Sequence, residues 1–553
     1  MQVHHELAKA VQAAIAAAQK VGALPEFDIP DIKIEHPRDP GFGDYATAAP
    51  LQMARPARMA PIKIAEMIAT HMPALDYLEA VEVANPGFIN FRLTLNFVQS
   101  LIETIERDGM SFGDISLGQG RKAQVEFVSA NPTGPITIGR TRGGVIGDTL
   151  ARVLEAAGYQ VSREYYYNDA GNQIRLLGES VKTRYLQILG QPAALTAEHY
   201  QGEYIYWVAA VLVGLHGDSL AEEEPEHFAE VAKRTMFANQ KASLRRVNIV
   251  HDIYFNEQDL YTTGRVWEAL EDLADRDMAY KQDGAWWFRS TRFGDEQDRV
   301  LVKSSGEPAY RMTDIAYHWD KAERGFDLVV DIFGPDHHTT AQTVLQGVQA
   351  LGYDVNFVHT LIHQIVSLVW GGEKVKMSTR RGEFVTLDAL VDEAGPDAVR
   401  YFMLQRSANS EVVFDLDLAV EQSDRNPVYY IQNAHVRCAG IFRRWEEEGY
   451  DSAAADQGDL SLLTGETELA FLRKALSLNE VLELAATTYE PHHLAYYAYE
   501  LAALFHPMYE ASRVLNTEVP EPLRLARLRL YRAAQALLVR VLDLMGMSAP
   551  EVM

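Results

Sequence analysis

The segment that decides the fold reads Val125-Glu-Phe-Val-Ser-Ala-Asn-Pro-Thr-Gly-Pro-Ile-Thr-Ile-Gly-Arg140. It begins within an apolar-rich run, Ala123–Val128, that predicts a β-strand, and a turn rich in proline and glycine follows. A helix is predicted from about Arg140 to Ala157, and a second strand over Val161–Tyr167. This order of strand, loop, helix and strand predicts an α/β fold with a doubly wound parallel sheet.

The same pattern resumes later in the chain, after an interruption. A strand is predicted over Leu328–Phe333 and a helix over residues 339–351. Between the two halves, residues of about 195–280 are predicted to form a largely helical insertion, and a hairpin is predicted to turn at Asp283-Gly284. We therefore expect one interrupted α/β domain over residues 113–396.

The two ends of the chain predict different architectures. Residues 1–112 combine an Ala-rich helix with the strand-like stretches Ile32–Glu35 and Ala80–Leu93, which together predict a small α+β module. Residues 397–553 are predicted to be almost entirely helical. The chain is therefore expected to hold three domains.

Composition excludes several classes of protein. The 553 residues are 47% hydrophobic and 23% charged, which is ordinary globular composition. The one cysteine, Cys438, excludes an intramolecular disulfide and a multi-thiolate metal site, and it favours a reducing, cytoplasmic compartment. We expect no membrane span and no secretory signal. The net charge of −26 argues against a non-specific nucleic-acid coat but leaves room for a local basic face.

The turn before the predicted helix has the features of a phosphate site. A helix N-terminus presents unpaired N–H groups and a partial positive charge, and Gly139 leaves no side chain between the backbone and a flat ring. The turn matches neither GxxxxGK[ST] nor GxGxxG, which disfavours a P-loop ATPase and a simple dinucleotide site. Taken alone, the segment could equally be a structural turn.

A second segment, Gly371-Gly-Glu-Lys-Val-Lys-Met-Ser-Thr-Arg-Arg-Gly382, concentrates positive charge. It holds four cations and three glycines, with a hydroxyl pair at Ser378 and Thr379. A basic loop of this kind can clamp a polyphosphate as negative charge develops on it. An exposed basic turn is the alternative interpretation.

Together the two segments resemble the HIGH and KMSKS signatures of class I aminoacyl-tRNA synthetases, the second as Lys376-Met-Ser-Thr-Arg380. Further motifs narrow the resemblance to arginyl-tRNA synthetases of the bacterial type. These motifs are Gly43-Asp-Tyr-Ala-Thr47, Asp314-Ile-Ala-Tyr-His318, Gly334-Pro-Asp-His-His338, Gly382-Glu-Phe-Val-Thr-Leu387, Asp397-Ala-Val-Arg-Tyr401, Asp415-Leu-Asp-Leu-Ala419 and Asn426-Pro-Val-Tyr-Tyr-Ile-Gln-Asn-Ala-His435. The resemblance extends from about residue 40 to the end and implies a Rossmann-like catalytic domain.

One departure from the family pattern concerns its first signature. The two positions that usually hold histidines are Thr137 and Arg140 here, and both still offer hydrogen-bond donors to phosphate. In the second signature Thr379 replaces the more common lysine. We interpret the first change as a functional replacement, and a paralogue with weakened chemistry is the alternative.

The resemblance implies an arginine site. Its expected residues are Glu126, Ser129, Asn131, Glu257, Tyr310 and Asp314. Asp314 is expected to face the guanidinium group, whose five donors call for carboxylates, with Tyr310 beside it. Asn131 and Glu126 match positions near the α-amino end, and Glu257 is a second candidate carboxylate. Each acidic residue could otherwise be an ordinary surface or capping residue.

The resemblance likewise implies an ATP site. The expected ATP-binding residues are Pro135, Gly139, Gly334, Asp336, His337, His338 and Met377. The residues expected to act during adenylation are Thr137, Gly139, Arg140, Lys376, Ser378 and Arg380. Magnesium is expected to accompany ATP, and no protein-held metal is expected, because two adjacent histidines lack a third convergent ligand.

The helical C-terminal domain resembles the family's anticodon-binding domain, and the N-terminal module resembles its tRNA-contacting domain. Candidate tRNA-binding residues are Asn85, Phe88, Tyr429, Tyr430, Gln432, Asn433, His435 and Arg437. The arginines between Arg524 and Arg532 add local positive charge. Aromatic and amide groups suit the reading of unstacked bases, although core packing is the alternative for each aromatic residue.

The resemblance therefore implies an arginine–tRNA ligase whose partners are ATP, L-arginine and tRNA(Arg), and we expect a monomer. Two alternatives stay open. A catalytically weakened tRNA-binding paralogue draws its support from Thr137 and Arg140. An enzyme that charges another amino acid is opposed by Tyr310 and Asp314, which match the family's arginine pocket.

Overall fold

The structure, a computed structural model, describes residues 2–335, 340–375 and 385–553. The N-terminal module consists of α1 (Val3–Lys20), β1 (Tyr45–Thr47), α2 (Ala49–Ala57), α3 (Pro61–His71), β2 (Leu78–Ala84), β3 (Phe88–Leu93) and α4 (Leu95–Asp108). Its strands form an antiparallel sheet in the order β1-β3-β2, in which β2 and β3 are the two halves of the predicted stretch 80–93. Of the predicted strand Ile32–Glu35, only Glu35 pairs, in one bridge to Ala46.

The middle of the chain forms the α/β domain. Its elements are β4 (Lys122–Glu126), α5 (Ile138–Ala156), β5 (Gln160–Tyr167), α6 (Asn172–Ile188), α7 (Glu203–His216), α8 (Pro225–Arg246), β6 (Ile253–Asn256), α9 (Glu257–Thr262), α10 (Arg265–Asp275), β7 (Ala279–Gln282), β8 (Ala285–Phe288), β9 (Arg299–Val302), α11 (Tyr310–Glu323), β10 (Leu328–Phe333), α12 (Thr340–Ala350), β11 (Val358–Ile362), β12 (Val366–Trp370), β13 (Glu373–Lys374), α13 (Leu387–Ala394), α14 (Pro396–Leu404), β14 (Val412–Asp415) and α15 (Leu416–Val420).

The central sheet is parallel throughout, with the strand order β11-β10-β4-β5-β6. This confirms the predicted doubly wound sheet. The chain runs outward from β4 through β5 to β6, then returns to build β10 and β11 on the other side of β4. The order therefore reverses between β4 and β10, and the carboxyl ends of these strands border the crevice in which such sheets bind ligands.

Two insertions interrupt this sheet. Helices α6, α7 and α8 lie between β5 and β6 and share a core around Leu177 and Phe228. The predicted hairpin at Asp283-Gly284 is confirmed: β7 and β8 pair there, and β9 completes a separate antiparallel sheet. The span predicted as a helical insertion, residues 195–280, also contains β6, whose four residues are too few to show a strand periodicity.

The C-terminal domain is helical, as expected, with α16 (Pro427–Glu447), α17 (Glu466–Leu476), α18 (Leu478–Thr488), α19 (His492–Ala511) and α20 (Glu521–Leu544). Two of the arginines predicted to add free positive charge, Arg529 and Arg532, both donate to the Glu106 carboxylate of α4. They therefore join the first and last domains. None of the helices in the described part of the chain is long and apolar enough to cross a membrane.

Helix α5 lies directly behind the crevice and is buried along almost all of its length. Its glycines permit this close packing. A Cβ atom at Gly147 would lie 2.3 Å from Cγ of Phe127, the residue that follows β4. The sequence of α5 thus fixes how closely its N-terminus approaches the end of β4.

We expect Gly147→Ala to destabilise the protein by about 1–3 kcal/mol, because the new methyl group overlaps the Phe127 ring. The matched control is Gly214→Ala on α7, where an added Cβ meets no described heavy atom within 4 Å. That control should stabilise its helix by up to about 1 kcal/mol. Thermal unfolding of both variants checks the packing, and equal melting temperatures would contradict it.

Candidate active site

A cavity of about 890 Å³ opens at the carboxyl ends of β4, β5 and β10. It lies at the switch point of the central sheet, where the fold predicts a ligand. The predicted site residues that line it are Glu126, Ser129, Asn131, Pro135, Thr137, Arg140, Glu257, Tyr310 and Asp314. Seven other predicted residues, Asp336, His337, His338, Lys376, Met377, Ser378 and Arg380, lie outside the described residues.

The turn that follows β4 has a strained backbone. Val128 and Ser129 have φ angles of 70° and 42°, in the left-handed region that β-branched residues in particular avoid. Such conformations cost about 1–3 kcal/mol each and persist only where neighbours hold them. Here Ser129 Oγ donates to Glu126 Oε1 over 2.8 Å, and Arg140 Nη1 donates to the Val128 carbonyl over 2.9 Å. Two predicted site residues therefore support the turn itself.

Two backbone hydrogen bonds join the N-terminus of helix α5 to the residues that follow the basic segment 371–382. The Ile138 amide donates to the Val385 carbonyl over 3.0 Å, and the Leu387 amide donates to the Ile136 carbonyl over 2.8 Å. At Gly139, an added Cβ would meet no described heavy atom within 4 Å. The N-terminus of α5 therefore has open space beside its first backbone amides, as the binding of a phosphate group or a flat ring requires.

Two carboxylates face the cavity without a cationic partner. Glu257 accepts hydrogen bonds from Tyr166 Oη and Asn168 Nδ2, each over 2.7 Å. No lysine or arginine of the described residues comes within 4 Å of the Asp314 carboxylate. Burial raises the pKa of Asp314 to about 6, against the opposing charges of His318 and Arg311, and the carboxylates of Glu257 and Glu126 add to the rise. Burial also raises the pKa of Glu257. This pair has the chemistry to bind a cation.

Beneath these carboxylates lies a buried ionic network that the sequence did not single out. Lys321 Nζ, fully buried, donates to Glu126 Oε2 and to Asp331 Oδ1, each over 2.6 Å. His318 Nε2 lies 2.9 Å from the other Asp331 oxygen. Although burial opposes ionisation, Lys321 and His318 hold the pKa of Asp331 well below its usual range. The Glu126 carboxylate therefore already has a cationic partner within the protein, which it shares with Asp331.

Tyr317 extends this network toward β5. Its hydroxyl lies 2.6 Å from Glu164 Oε1 and 3.0 Å from Glu126 Oε2, so its single proton serves one carboxylate at a time. Burial, together with these carboxylates, raises its pKa well above the usual value. A signal for Tyr317 and His318 was present in the motif 314–318, whereas Lys321 lies beyond it.

Three predicted residues lie at the edges of the cavity. Tyr310 is 84% exposed at the start of α11, so its ring lies at the rim and not against Asp314. Asn131 Oδ1 accepts from the Asn168 amide over 2.9 Å. Gly334 follows β10, and an added Cβ there would meet no described heavy atom within 4 Å.

The predicted tRNA-binding residues of α16 divide between two faces of the helix. Gln432 and His435 are buried: Gln432 Nε2 donates to Asp397 Oδ2 over 2.7 Å, and His435 Nδ1 lies 2.7 Å from the Pro550 carbonyl. Gln432 Nε2 also donates to the Ser548 carbonyl over 3.0 Å, so both side chains hold the C-terminal residues in place and have no face left for an unstacked base. The partly exposed candidates on this helix are Tyr429, Tyr430, Asn433 and Arg437, and Asn85 and Phe88 are exposed near the β2–β3 turn.

Comparison with known proteins gives a consistent result along the chain. Residues 5–93 match the arginyl tRNA synthetase N terminal domain, residues 103–416 the catalytic domain of class I (R) tRNA synthetases, and residues 431–553 the DALR anticodon binding domain. The arginine–tRNA ligase of Desulforamulus reducens is 42% identical over 100% of this chain and 99% of its own. That of Bacillus subtilis is 41% identical over 97% of both chains.

Solved structures agree with these matches. An arginyl-tRNA synthetase structure from Campylobacter jejuni superposes with a TM-score of 0.77 at 32% identity, covering 83% of this chain and 100% of the other. The arginyl-tRNA synthetase of Thermus thermophilus has a TM-score of 0.76 at 23% identity, over 99% of this chain and 100% of its own, which supports the fold alone. By family match, identity and coverage, the chain belongs to the arginyl-tRNA synthetases of class I.

Proposed function

We propose that this chain is an arginine–tRNA ligase. It activates L-arginine with ATP to arginyl-adenylate and transfers the arginyl group to the 3′-terminal adenosine of tRNA(Arg). The observation that carries the proposal is the carboxylate pair Asp314 and Glu257, which faces a cavity at the switch point without a cation of its own among the described residues.

The guanidinium group of arginine suits this pair. It is permanently charged and presents its donors in a planar fork, so it can pair with two carboxylates at once. Glu126 is less available, because Lys321 already occupies one of its oxygens and Ser129 the other. We therefore place the guanidinium group at Asp314 and Glu257, and the α-amino end near Ser129 and Asn131. Tyr310 would cover the entrance from the rim.

ATP would bind at the N-terminus of α5. The α-phosphate is attacked by the arginine carboxylate, and pyrophosphate leaves. The residues that we propose for ATP and for the charge that develops on its phosphates are Pro135, Thr137, Gly139, Arg140, Gly334, Asp336, His337, His338, Lys376, Met377, Ser378 and Arg380. Positioning and electrostatic stabilisation suffice for this step, so no covalent enzyme nucleophile is required, and Mg²⁺ would accompany the phosphates.

The tRNA would contact all three proposed domains. Residues 1–112 would contact the tRNA through Asn85 and Phe88, the α/β domain would carry out both chemical steps, and the helical domain that begins with α16 would read the anticodon. The partly exposed residues that we propose for the anticodon are Tyr429, Tyr430, Asn433 and Arg437. The 2′-hydroxyl of the terminal adenosine then attacks the arginyl carbonyl of the adenylate, the ester forms and AMP leaves. We propose that the enzyme works as a monomer in the cytoplasm.

Aminoacylation of total tRNA with a panel of labelled amino acids tests the function, and we expect charging with arginine alone. Charging with another amino acid would contradict arginine as the substrate. A wild type that binds tRNA but charges nothing would support the paralogue.

Asp314→Asn should raise the arginine KM about tenfold to a hundredfold, because a charge-assisted pair contributes roughly 1.5–3 kcal/mol. The matched control is Asp259→Asn, which changes an exposed carboxylate on α9 and should leave the arginine KM as in the wild type.

Arg140→Ala should lower the single-turnover rate of aminoacylation by about tenfold to a thousandfold, as loss of one transition-state donor does. The variant loses both its proposed phosphate contact and the hydrogen bond to Val128. Binding of tRNA, measured by titration, should be unchanged. Arg276→Ala, which removes an exposed arginine from the end of α10, is the control. Full activity of Arg140→Ala would remove Arg140 from the mechanism.

A further inference from the structure

Imidazole and carboxylate groups converge where α1 meets α18, far from the cavity in sequence. His4 and His5 lie in the first turn of α1, and Glu483 lies on α18, 478 residues after His5. His4 Nε2 lies 3.0 Å from Glu483 Oε2, while His5 Nε2 lies 2.8 Å and 2.9 Å from the two Glu483 oxygens. Three potential metal ligands from two domains therefore meet at one point.

The donor set and its spacing suit a zinc-like ion. Zinc binds imidazole nitrogens and carboxylate oxygens at about 2.0–2.2 Å, and ligands at that distance in a tetrahedron stand roughly 3.4 Å apart. Each imidazole Nε2 would have to move only about half an ångström away from the Glu483 oxygens to admit the ion. His5 is 46% exposed, so solvent can reach the site and supply the remaining ligand.

A second carboxylate supports the cluster from behind. Glu480 lies one turn before Glu483 on α18, and its Oε1 is 3.8 Å from His4 Nδ1, the ring nitrogen that faces away from Glu483. Glu480 is itself fixed by Tyr45 Oη, which donates over 2.8 Å, and by His36 Nε2 at 2.9 Å. His4 Nδ1 is buried without a hydrogen-bond partner, so a small shift of the ring toward Glu480 would supply the carboxylate contact that orients a metal-binding histidine and strengthens it as a ligand.

We propose that His4, His5 and Glu483 bind a divalent transition-metal ion of the zinc class, which ties α1 to α18. The sequence alone predicted no protein-held metal, because the adjacent histidines His337 and His338 lack a third convergent ligand. For His4 and His5, folding supplies a third ligand in Glu483. A second group, Glu490, His492 and His493, comes from a single turn, and its His493 Nε2 and Glu490 Oε2 are 3.5 Å apart. The tighter, interdomain group is the one that we assign.

Calorimetric titration of Zn²⁺ into the metal-stripped, full-length protein tests the site. We expect saturable binding of one ion, with the affinity reduced at least about tenfold in His5→Ala and in Glu483→Gln. His493→Ala is the matched control and should bind as wild type. Co²⁺ should give the intense visible absorption of tetrahedral coordination in wild type and lose it in the first two variants. Circular dichroism checks that each variant is folded.

Bound Zn²⁺ should also raise the melting temperature, because an ion that binds only the native state stabilises it. The same two variants should lose this rise, and His493→Ala should keep it. Absence of saturable binding would overturn the proposal. So would binding that survives in His5→Ala and Glu483→Gln but disappears in His493→Ala, since this would place the ion at the second group.

Discussion

The buried ammonium group of Lys321 is the interaction on which the rest of the site depends. It links Glu126 at the end of β4 to Asp331 in β10, the two strands that flank the switch point. A buried carboxylate without a cationic partner costs several kcal/mol, and the lysine lowers this cost for both acidic residues at once. Lys321 therefore fixes the floor of the cavity and also takes Glu126 out of competition for the substrate.

The carboxylates of Asp314 and Glu257, which have no ion-pair partner among the described residues, set the selectivity of the pocket for its amino-acid substrate. Asp314 is ionised only at a cost, as its raised pKa shows, and a bound cation removes that cost. A neutral amino acid would leave the carboxylate without a partner, which a buried site penalises strongly. Lysine would bring one point charge where arginine brings a planar fork for both Asp314 and Glu257. Lys321 engages Glu126 and leaves Asp314 and Glu257 unpaired, which explains why arginine fits best.

Local patterns in the sequence predicted the helices and strands but not the contacts between side chains on different elements. Strands β4, β5 and β10 and helix α5 carry clear apolar runs and turn residues, so their approximate positions followed from the sequence. Lys321 gave no signal, because Glu126, one of its partners, lies 195 residues away. Gln432 and His435 were grouped with their neighbours as RNA readers, since the residues alone do not show which face of α16 the last residues of the chain cover. Folding also brought Glu483 to His4 and His5, which no local pattern could indicate.

The central claim is that an unpaired, partly protonated Asp314 receives the guanidinium group. Calorimetry of L-arginine binding to the full-length protein, in buffers of different ionisation enthalpy, measures the protons released. With a pKa of about 6, Asp314 is half protonated at pH 6, and pairing with arginine lowers that pKa. The account predicts release of about half a proton per arginine at pH 6 and almost none at pH 8. Binding at pH 6 without proton release would contradict it.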